Sequence, residues 1–170
     1  MNPLRWSFRI TYLVGFLVCA GLIAFVLFAQ YRMGLDPCPL CILQRVAFIA
    51  MGMVFVVGAV HAPRGGGRWV YAVLVAVSAL AGIGIASRHL WIQSLPPGAV
   101  PSCGAPLGYL LSTRDAHGGL LGVLRMVLSG SGECAKVEKI LGLPIPLWSL
   151  IWFTILGAAG LFAARHRNRS

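Results

Sequence analysis

The chain has few charged side chains and almost no acidic ones. Only 11% of its 170 residues are charged and only four are acids, whereas a soluble globular domain has about 25% charged residues. This scarcity argues against a soluble fold. The net charge of +10 comes from basic residues that border apolar segments, as the solvated flanks of membrane helices do, so we expect no nucleic-acid partner.

The sequence instead has four apolar segments close to the roughly 20 residues that span a bilayer. They lie at about 10–29, 42–60, 70–86 and 145–164. The first is longer than the apolar region of about 7 to 15 residues in a cleaved signal peptide, so we interpret it as a retained helix. The sequence therefore predicts an all-α integral membrane protein. Residues 1–170 form one membrane domain, a four-transmembrane-helix bundle with a short loop (about 30–41) and a long loop (about 87–143).

The basic residues predict how this bundle is oriented. Four spanning helices place both termini and the short second connection on one side of the membrane. Seven basic residues and no acid fall on that side, all near helix ends: Arg5, Arg9, Arg64, Arg68, Arg165, Arg167 and Arg169. The opposite side also has seven, but some of them lie deep in the long loop or within a helix. The positive-inside rule therefore predicts cytoplasmic termini.

Four of the five cysteines fall on the predicted outer side: Cys38, Cys41, Cys103 and Cys134. Cys38 and Cys41 form a C-x-x-C pair just before the second helix, a spacing that lets one thiolate attack a disulfide while its neighbour resolves the intermediate. Redox chemistry is the first hypothesis. Cys103 and Cys134, the pair in the long loop, also fit a purely structural disulfide. A four-thiolate zinc site would need a second C-x-x-C, so we predict no metal.

Cys41 has two features that favour its thiolate. It lies near a helix N-terminus, where the helix dipole is positive, and Arg45 follows one turn along the same face. The same positive site would stabilise negative charge developing on an electron acceptor at the membrane edge. The alternative for Arg45 is that its side chain extends to lipid phosphates.

A segment of the long loop has apolar residues at helical spacing: Leu120, Leu121, Val123, Leu124, Val127 and Leu128. This pattern predicts a short amphipathic helix. The helix would lie either on the membrane surface or against the other loop, and the sequence leaves both arrangements open.

Taken together, these motifs resemble a known family. A Cys-x-x-Cys-x-x-x-Arg motif opens the second membrane helix, and a cysteine pair follows in a later loop. Leu141-Gly142-Leu143 then precedes Pro146 and Trp148. The combination resembles the bacterial disulfide bond formation protein B (DsbB) family over nearly the whole chain.

The resemblance implies a thiol:quinone oxidoreductase of the bacterial inner membrane, with both termini cytoplasmic and both cysteine loops periplasmic. It would reoxidise the periplasmic thioredoxin-like oxidase DsbA and pass two electrons to ubiquinone or menaquinone. By position, Cys103 would form the mixed disulfide with DsbA. Cys134 would then exchange with Cys38 and leave Cys41 as the thiolate that contacts the quinone.

The resemblance also implies a quinone site made by Arg45, by His89 just past the third helix, and by Trp148. Three residues depart from the family pattern: Pro39 lies inside the C-x-x-C, Gln44 replaces an acid before Arg45, and Arg88 precedes His89. We expect these departures to alter the redox poise and leave the cysteine roles unchanged.

Two other functions fit part of the pattern. A vitamin K epoxide reductase type of quinone reductase also combines a C-x-x-C with a loop pair, but there the loop pair comes first in the sequence, whereas here it comes second. A non-enzymatic membrane protein with a disulfide-stapled loop is the other alternative. Arg45 beside the C-x-x-C argues against it.

Overall fold

A computed structural model of the protein describes residues 8–34, 37–63, 65–96, 109, 112–113, 115, 119–129, 132–135, 137, 139–140 and 142–165. Cys103 lies outside these residues, as do four of the arginines used in the orientation argument: Arg5, Arg64, Arg167 and Arg169.

Four long apolar helices make up most of the described chain. They are α1 (Phe8–Met33), α2 (Pro39–His61), α3 (Gly67–Gln93) and α6 (Ile145–Arg165). Each is long and apolar enough to cross a membrane, because about 20 residues at 1.5 Å each match the hydrocarbon core of about 30 Å. The predicted four-helix membrane bundle is confirmed.

The long loop adds small elements between α3 and α6. They are α4 (Gly119–Ser129), α5 (Gly132–Ala135) and a two-stranded antiparallel hairpin of β1 (Lys139–Ile140) and β2 (Leu143–Pro144). Gly142 has a positive φ of 81° in the hairpin turn, a backbone conformation that favours glycine. The hairpin leads directly into α6.

The third helix is longer than its apolar segment, and this corrects one prediction. α3 continues to Gln93, so His89 lies inside the helix and not just past it. Hydropathy marks only the part of a helix that faces hydrocarbon. The backbone hydrogen bonds of a helix continue through polar residues where their side chains meet other protein groups.

The four helices form a closed ring, since α1 contacts α2, α2 contacts α3, α3 contacts α6, and α6 contacts α1. Small residues let α3 and α6 approach closely, with Gly157 against Ala79 and Gly160 against Val75. The Phe153 ring of α6 lies against Gly82 and stacks on Phe48, with ring centroids 3.9 Å apart. Such small-residue contacts are typical of membrane helices, whose association depends on close packing.

Side-chain contacts show which helix ends lie together. At one end, Phe8 stacks on Tyr12, Arg68 lies over the Phe8 ring, and Tyr12 contacts Gly58. The start of α1, the end of α2 and the start of α3 therefore share this end. The C-x-x-C at the start of α2 and His89 near the end of α3 lie at the other.

Helix α4 packs against the bundle with one of its faces. Val123 and Val127 are buried in an apolar cluster with Leu40, at the start of α2, and Ile92, near the end of α3. Leu120, on the other side of α4, is exposed. The structure has α4 packed beside the C-x-x-C segment, and its location on the membrane surface stays a prediction.

We predict that Gly82→Ala destabilises the bundle. An added Cβ would lie 2.4 Å from the Phe153 ring, and overpacking of this kind costs about 1–3 kcal/mol. The measurement is the free energy of unfolding from an SDS titration in mixed micelles.

Gly84→Ala is the matched control, because a Cβ at Gly84 meets nothing within 4 Å. We expect this variant to be as stable as the parent, or more stable by about 0.5–1 kcal/mol from the better helix propensity of alanine. Equal unfolding free energies for the two variants would contradict the prediction, because they would show that the bundle accommodates a Cβ between Gly82 and Phe153 without cost.

Candidate active site

The C-x-x-C forms the first turn of α2. Cys38 is the N-cap residue, with an extended backbone, and Pro39 opens the helix, where its missing N–H has no partner to lose. The Cys38 Sγ accepts a hydrogen bond from the Cys41 backbone N–H at 3.4 Å. The two Sγ atoms lie 2.9 Å apart, with the Cys38 thiol as donor. Helix capping therefore holds both sulfur atoms in contact.

The long loop brings Cys134 to the same place. Cys134 lies in α5, is 0% exposed, and belongs to the apolar cluster that contains Cys38, Leu40 and Ile92. The Cys38 and Cys134 Sγ atoms and a ring nitrogen of His89 all lie within 4.8 Å of one another. A cysteine of the second predicted pair is therefore next to the first pair, although the chain separates them widely.

The pKa of the Cys38 thiol is raised to about 12. A hydrogen bond with Cys134 lowers this pKa, but the hydrogen bond with Cys41, burial and the charge of Cys41 together outweigh it. Cys38 thus holds its proton more tightly than an ordinary thiol. In a reduced site it is a poor nucleophile, and it is suited to be the sulfur that another thiolate attacks.

His89 and Gln44 form a buried polar pair beside Cys38. They are only 2% and 3% exposed. The His89 Nε2 lies 3.8 Å from the Cys38 Sγ, and its Nδ1 lies 3.3 Å from the Gln44 Nε2. The His89 ring also hydrogen-bonds to the Cys134 backbone. Such bonds offset the cost of burying polar groups at the end of a membrane helix.

Gln44 was noted in the sequence only as a departure from the family pattern, and its place in the site was missed. A signal was present. Gln44 interrupts an apolar helix three residues after Cys41, and residues three apart share a helix face. A polar side chain inside a membrane segment on the same face as a reactive cysteine marks a candidate site residue.

Arg45 is held by a partner that the sequence reasoning also missed. Its Nη1 donates a hydrogen bond to the Gln30 Oε1 on α1. Its Nε is buried and has no hydrogen-bond partner in the described part of the chain. Arg45 is thus oriented by protein at one nitrogen and presents an unused donor at another. Trp148, the remaining predicted site residue, is half-buried in the first turn of α6.

The cysteine cluster also has the spacing of a metal site. The donor atoms of Cys38, His89 and Cys134 are close enough together for one thiophilic cation such as Zn²⁺, which takes sulfur and imidazole ligands. That the protein binds no metal stays a prediction from the sequence.

Comparison with known proteins gives the family. A family model described as "Disulfide bond formation protein DsbB" matches residues 8–163. The chain belongs to the DsbB family. Two similar proteins are both named Disulfide bond formation protein B. That of Xanthomonas euvesicatoria pv. vesicatoria is 48% identical over 172 residues, covering 100% of this chain and 98% of the relative. That of Xylella fastidiosa strain Temecula1 is 43% identical over 171 residues, covering 99% and 96%.

Membership of the DsbB family makes the chain a multi-pass membrane protein of disulfide bond formation, with the role of a disulfide oxidoreductase. The group of three thiols, in which Cys38 and Cys134 are buried and Cys41 is partly buried, agrees with that role. Disulfide chemistry needs sulfur atoms that are close enough to exchange bonds.

We predict that Cys38 reacts with iodoacetamide more slowly than an ordinary thiol near neutral pH. Its pKa of about 12, raised from an ordinary value of 9.0, keeps it protonated over that range, and only the thiolate reacts. Mass spectrometry of the reduced protein should show Cys38 alkylation still rising at pH 10.

Cys41→Ala tests the cause of the raised pKa. The substitution removes both the hydrogen bond and the charge that raise the pKa of Cys38, so the pH midpoint of Cys38 alkylation should fall. We compare the pH midpoint and not the alkylation rate, because the smaller side chain also changes the access of iodoacetamide to Cys38. An unchanged midpoint would mean that burial alone sets the pKa.

Proposed function

We propose that this protein is a thiol:quinone oxidoreductase that reoxidises the periplasmic oxidase DsbA and passes the electrons to a membrane quinone, ubiquinone or menaquinone. The observation that carries the proposal is the position of Cys134. It lies within 4.8 Å of the Cys38 Sγ, which itself contacts the Cys41 Sγ. Three sulfur atoms in this arrangement support transfer of a disulfide from one pair to the other.

The transfer step balances as a thiol–disulfide exchange. A thiolate of reduced DsbA attacks the Cys103 Sγ of a Cys103–Cys134 disulfide, so the DsbA–Cys103 bond forms, the Cys103–Cys134 bond breaks, and Cys134 leaves as a thiolate. That thiolate attacks the Cys38 Sγ of a Cys38–Cys41 disulfide. The Cys38–Cys134 bond forms, the Cys38–Cys41 bond breaks, and Cys41 leaves as a thiolate with the electron pair. The high pKa of Cys38 and the lower cost of charge on Cys41, near Arg45 and the helix N-terminus, favour Cys41 as the leaving sulfur.

His89 lies where it can stabilise charge in this step. When the Gln44 amide donates to the His89 Nδ1, the ring proton lies on Nε2. That nitrogen faces the Cys38 Sγ at 3.8 Å. The Cys134 Sγ is also within 4.8 Å of a His89 ring nitrogen, so the imidazole helps to stabilise the negative charge on the attacking sulfur as the disulfide bond changes partners.

The residues around Arg45 fit a quinone oxygen. The Arg45 Nε is a buried donor without an acceptor in the described part of the chain, and such a group is costly unless a ligand supplies the acceptor. Arg45, with His89 and Trp148, would hold the quinone head. The quinone supplies the two-electron acceptor, and an acceptor more oxidising than DsbA, at about −120 mV, is what the reaction requires.

The proposed location is the bacterial inner membrane, with both termini in the cytoplasm. Among the described basic residues, Arg9, Arg68 and Arg165 lie near helix termini at the bundle end away from the cysteines, and the positive-inside rule counts residues at such positions toward a cytoplasmic end. The cysteine end then faces the periplasm, where disulfides persist. DsbA would meet the long loop on that side.

We predict that Cys41→Ser abolishes quinone-dependent oxidation of reduced DsbA by detergent-purified protein. Serine has no sulfur, so the Cys38–Cys41 disulfide cannot form and no thiolate is released at position 41. The assay follows quinone absorbance with the parent and the variant in parallel. An absence of turnover in the parent with every common quinone would overturn the proposed function.

Cys103→Ser separates the two halves of the reaction. It should block exchange with DsbA while a small dithiol still reduces quinone through Cys38 and Cys41. Loss of both activities would contradict the division of roles between the two cysteine pairs.

Arg45→Ala should lower quinone-dependent turnover by roughly 10- to 100-fold, the kinetic equivalent of a charged hydrogen bond worth about 1.5–3 kcal/mol. The cysteines should still form disulfides, measured by thiol alkylation. Arg32→Ala is the control, because Arg32 is exposed at the end of α1. Equal loss in both variants would point to a general effect of surface charge.

A further inference from the structure

Arg88 connects the long loop to the end of α3. Its Nε donates a hydrogen bond to the Leu128 carbonyl oxygen at 3.0 Å, and its Nη2 donates to the Ser129 carbonyl oxygen at 3.4 Å. Leu128 and Ser129 are the last two residues of α4. Arg88 thus binds the C-terminus of α4 through two nitrogens of one guanidinium group.

These contacts suit the chemistry of a helix end. The last carbonyls of a helix have no partner within it, and the helix dipole makes that end negative. An arginine there satisfies the carbonyls and the dipole together. The Arg88 guanidinium also lies 4.1 Å from the centre of the Trp91 ring, a cation–π contact that limits the freedom of the side chain.

The end of α4 matters because it lies close to Cys134 along the chain. Helix α5, which carries Cys134, begins at Gly132, three residues after Ser129. Val123 and Val127 are buried in the cysteine cluster and Leu128 is packed against it, so apolar contacts hold one face of α4. Among the described residues, Arg88 supplies the polar contact that joins this terminus to α3, and its neighbour His89 faces Cys38.

We propose that Arg88 is a positioning residue for the exchange between the two cysteine pairs. By holding the end of α4 on α3, it keeps Cys134 within reach of the Cys38 Sγ. The inference rests on the proposed function. Disulfide exchange between the two cysteine pairs needs the long loop to be aligned with the bundle, and we assign that alignment to Arg88. Arg88 has no described contact with the sulfur atoms of Cys38, Cys41 or Cys134, and it acts through the chain connection from Ser129 to Cys134.

The contacts of Arg88 distinguish this role from general stability. Arg88 binds loop carbonyls and a residue of its own helix, whereas the bundle depends on contacts such as Gly82–Phe153 and Gly160–Val75. Loss of Arg88 should therefore release the loop without loosening the four helices. A small dithiol that acts directly on Cys38 and Cys41 should not need it.

The direct test measures the effective concentration of the Cys38–Cys134 pair. In a Cys41→Ser/Cys103→Ser background, the protein is equilibrated in glutathione redox buffers and the Cys38–Cys134 disulfide is quantified by mass spectrometry. Arg88→Ala should lower the effective concentration by about 10-fold, because the loop end is no longer held. Arg88→Lys keeps the charge but not the contact through two nitrogens, so its effective concentration should lie between those of the parent and Arg88→Ala.

Arg125→Ala is the matched control, since Arg125 is an exposed arginine of α4. It should leave the effective concentration unchanged. Unfolding in SDS should also be unchanged in Arg88→Ala. A loss of bundle stability in step with the loss of disulfide would overturn the proposal in favour of a general structural role. Arg88→Gln, which keeps a hydrogen-bond donor, provides the same readout if the alanine variant does not fold.

The outcome separates the two proposals. Effective concentrations that are equal in Arg88→Ala and its parent overturn the role of Arg88, whatever the protein does with quinones. A parent that reduces no quinone overturns the proposed function, but it leaves the disulfide equilibrium measurable. In an active parent, Arg88→Ala should slow oxidation of DsbA and leave dithiol-driven quinone reduction within about two-fold of the parent, as expected when only loop positioning changes.

Discussion

The contact between the start of α2 and the Cys134 segment is the constraint on which the rest of the site depends. Cys38 and Cys134 are buried together with Leu40, Ile92 and two valines of α4. Burial removes water from the sulfur atoms, so their protonation and reactivity are set by neighbours within a few ångströms. Polar groups in such a place need partners, which explains why Gln44, His89 and the Cys134 backbone form one connected set.

The bundle supplies a rigid base for that contact. Small residues along α3 and α6 and the stacked Phe48 and Phe153 hold the middle of the bundle tightly. The reactive residues lie at one end, on the first turn of α2, the last turns of α3 and a short loop helix. The packed middle of the bundle therefore supports the reactive end, as a site on packed helices requires if its side chains are to keep their positions.

Composition and hydropathy predicted the four helices, because burial in lipid requires long apolar segments. The C-x-x-C and Arg45 were identifiable from spacing along one helix. The proximity of Cys134 to Cys38 followed only from the family resemblance, since it depends on how a long loop folds back. Gln44 was readable as a polar interruption of an apolar helix. Its pairing with His89, the partner Gln30 of Arg45 and the inclusion of His89 in α3 were not, because they arise from contacts between helices.

Cys38 has two roles, and they connect disulfide exchange at its sulfur to a backbone hydrogen bond of α2. Its sulfur caps α2 by accepting the Cys41 N–H, and it is also the atom proposed to change bonding partners. A disulfide sulfur carries less negative charge than a thiol or thiolate sulfur and accepts hydrogen bonds less well. Each change of partner at Cys38 therefore alters the strength of the helix cap. The Cys41 amide proton is a natural spectroscopic reporter of the redox state of the protein.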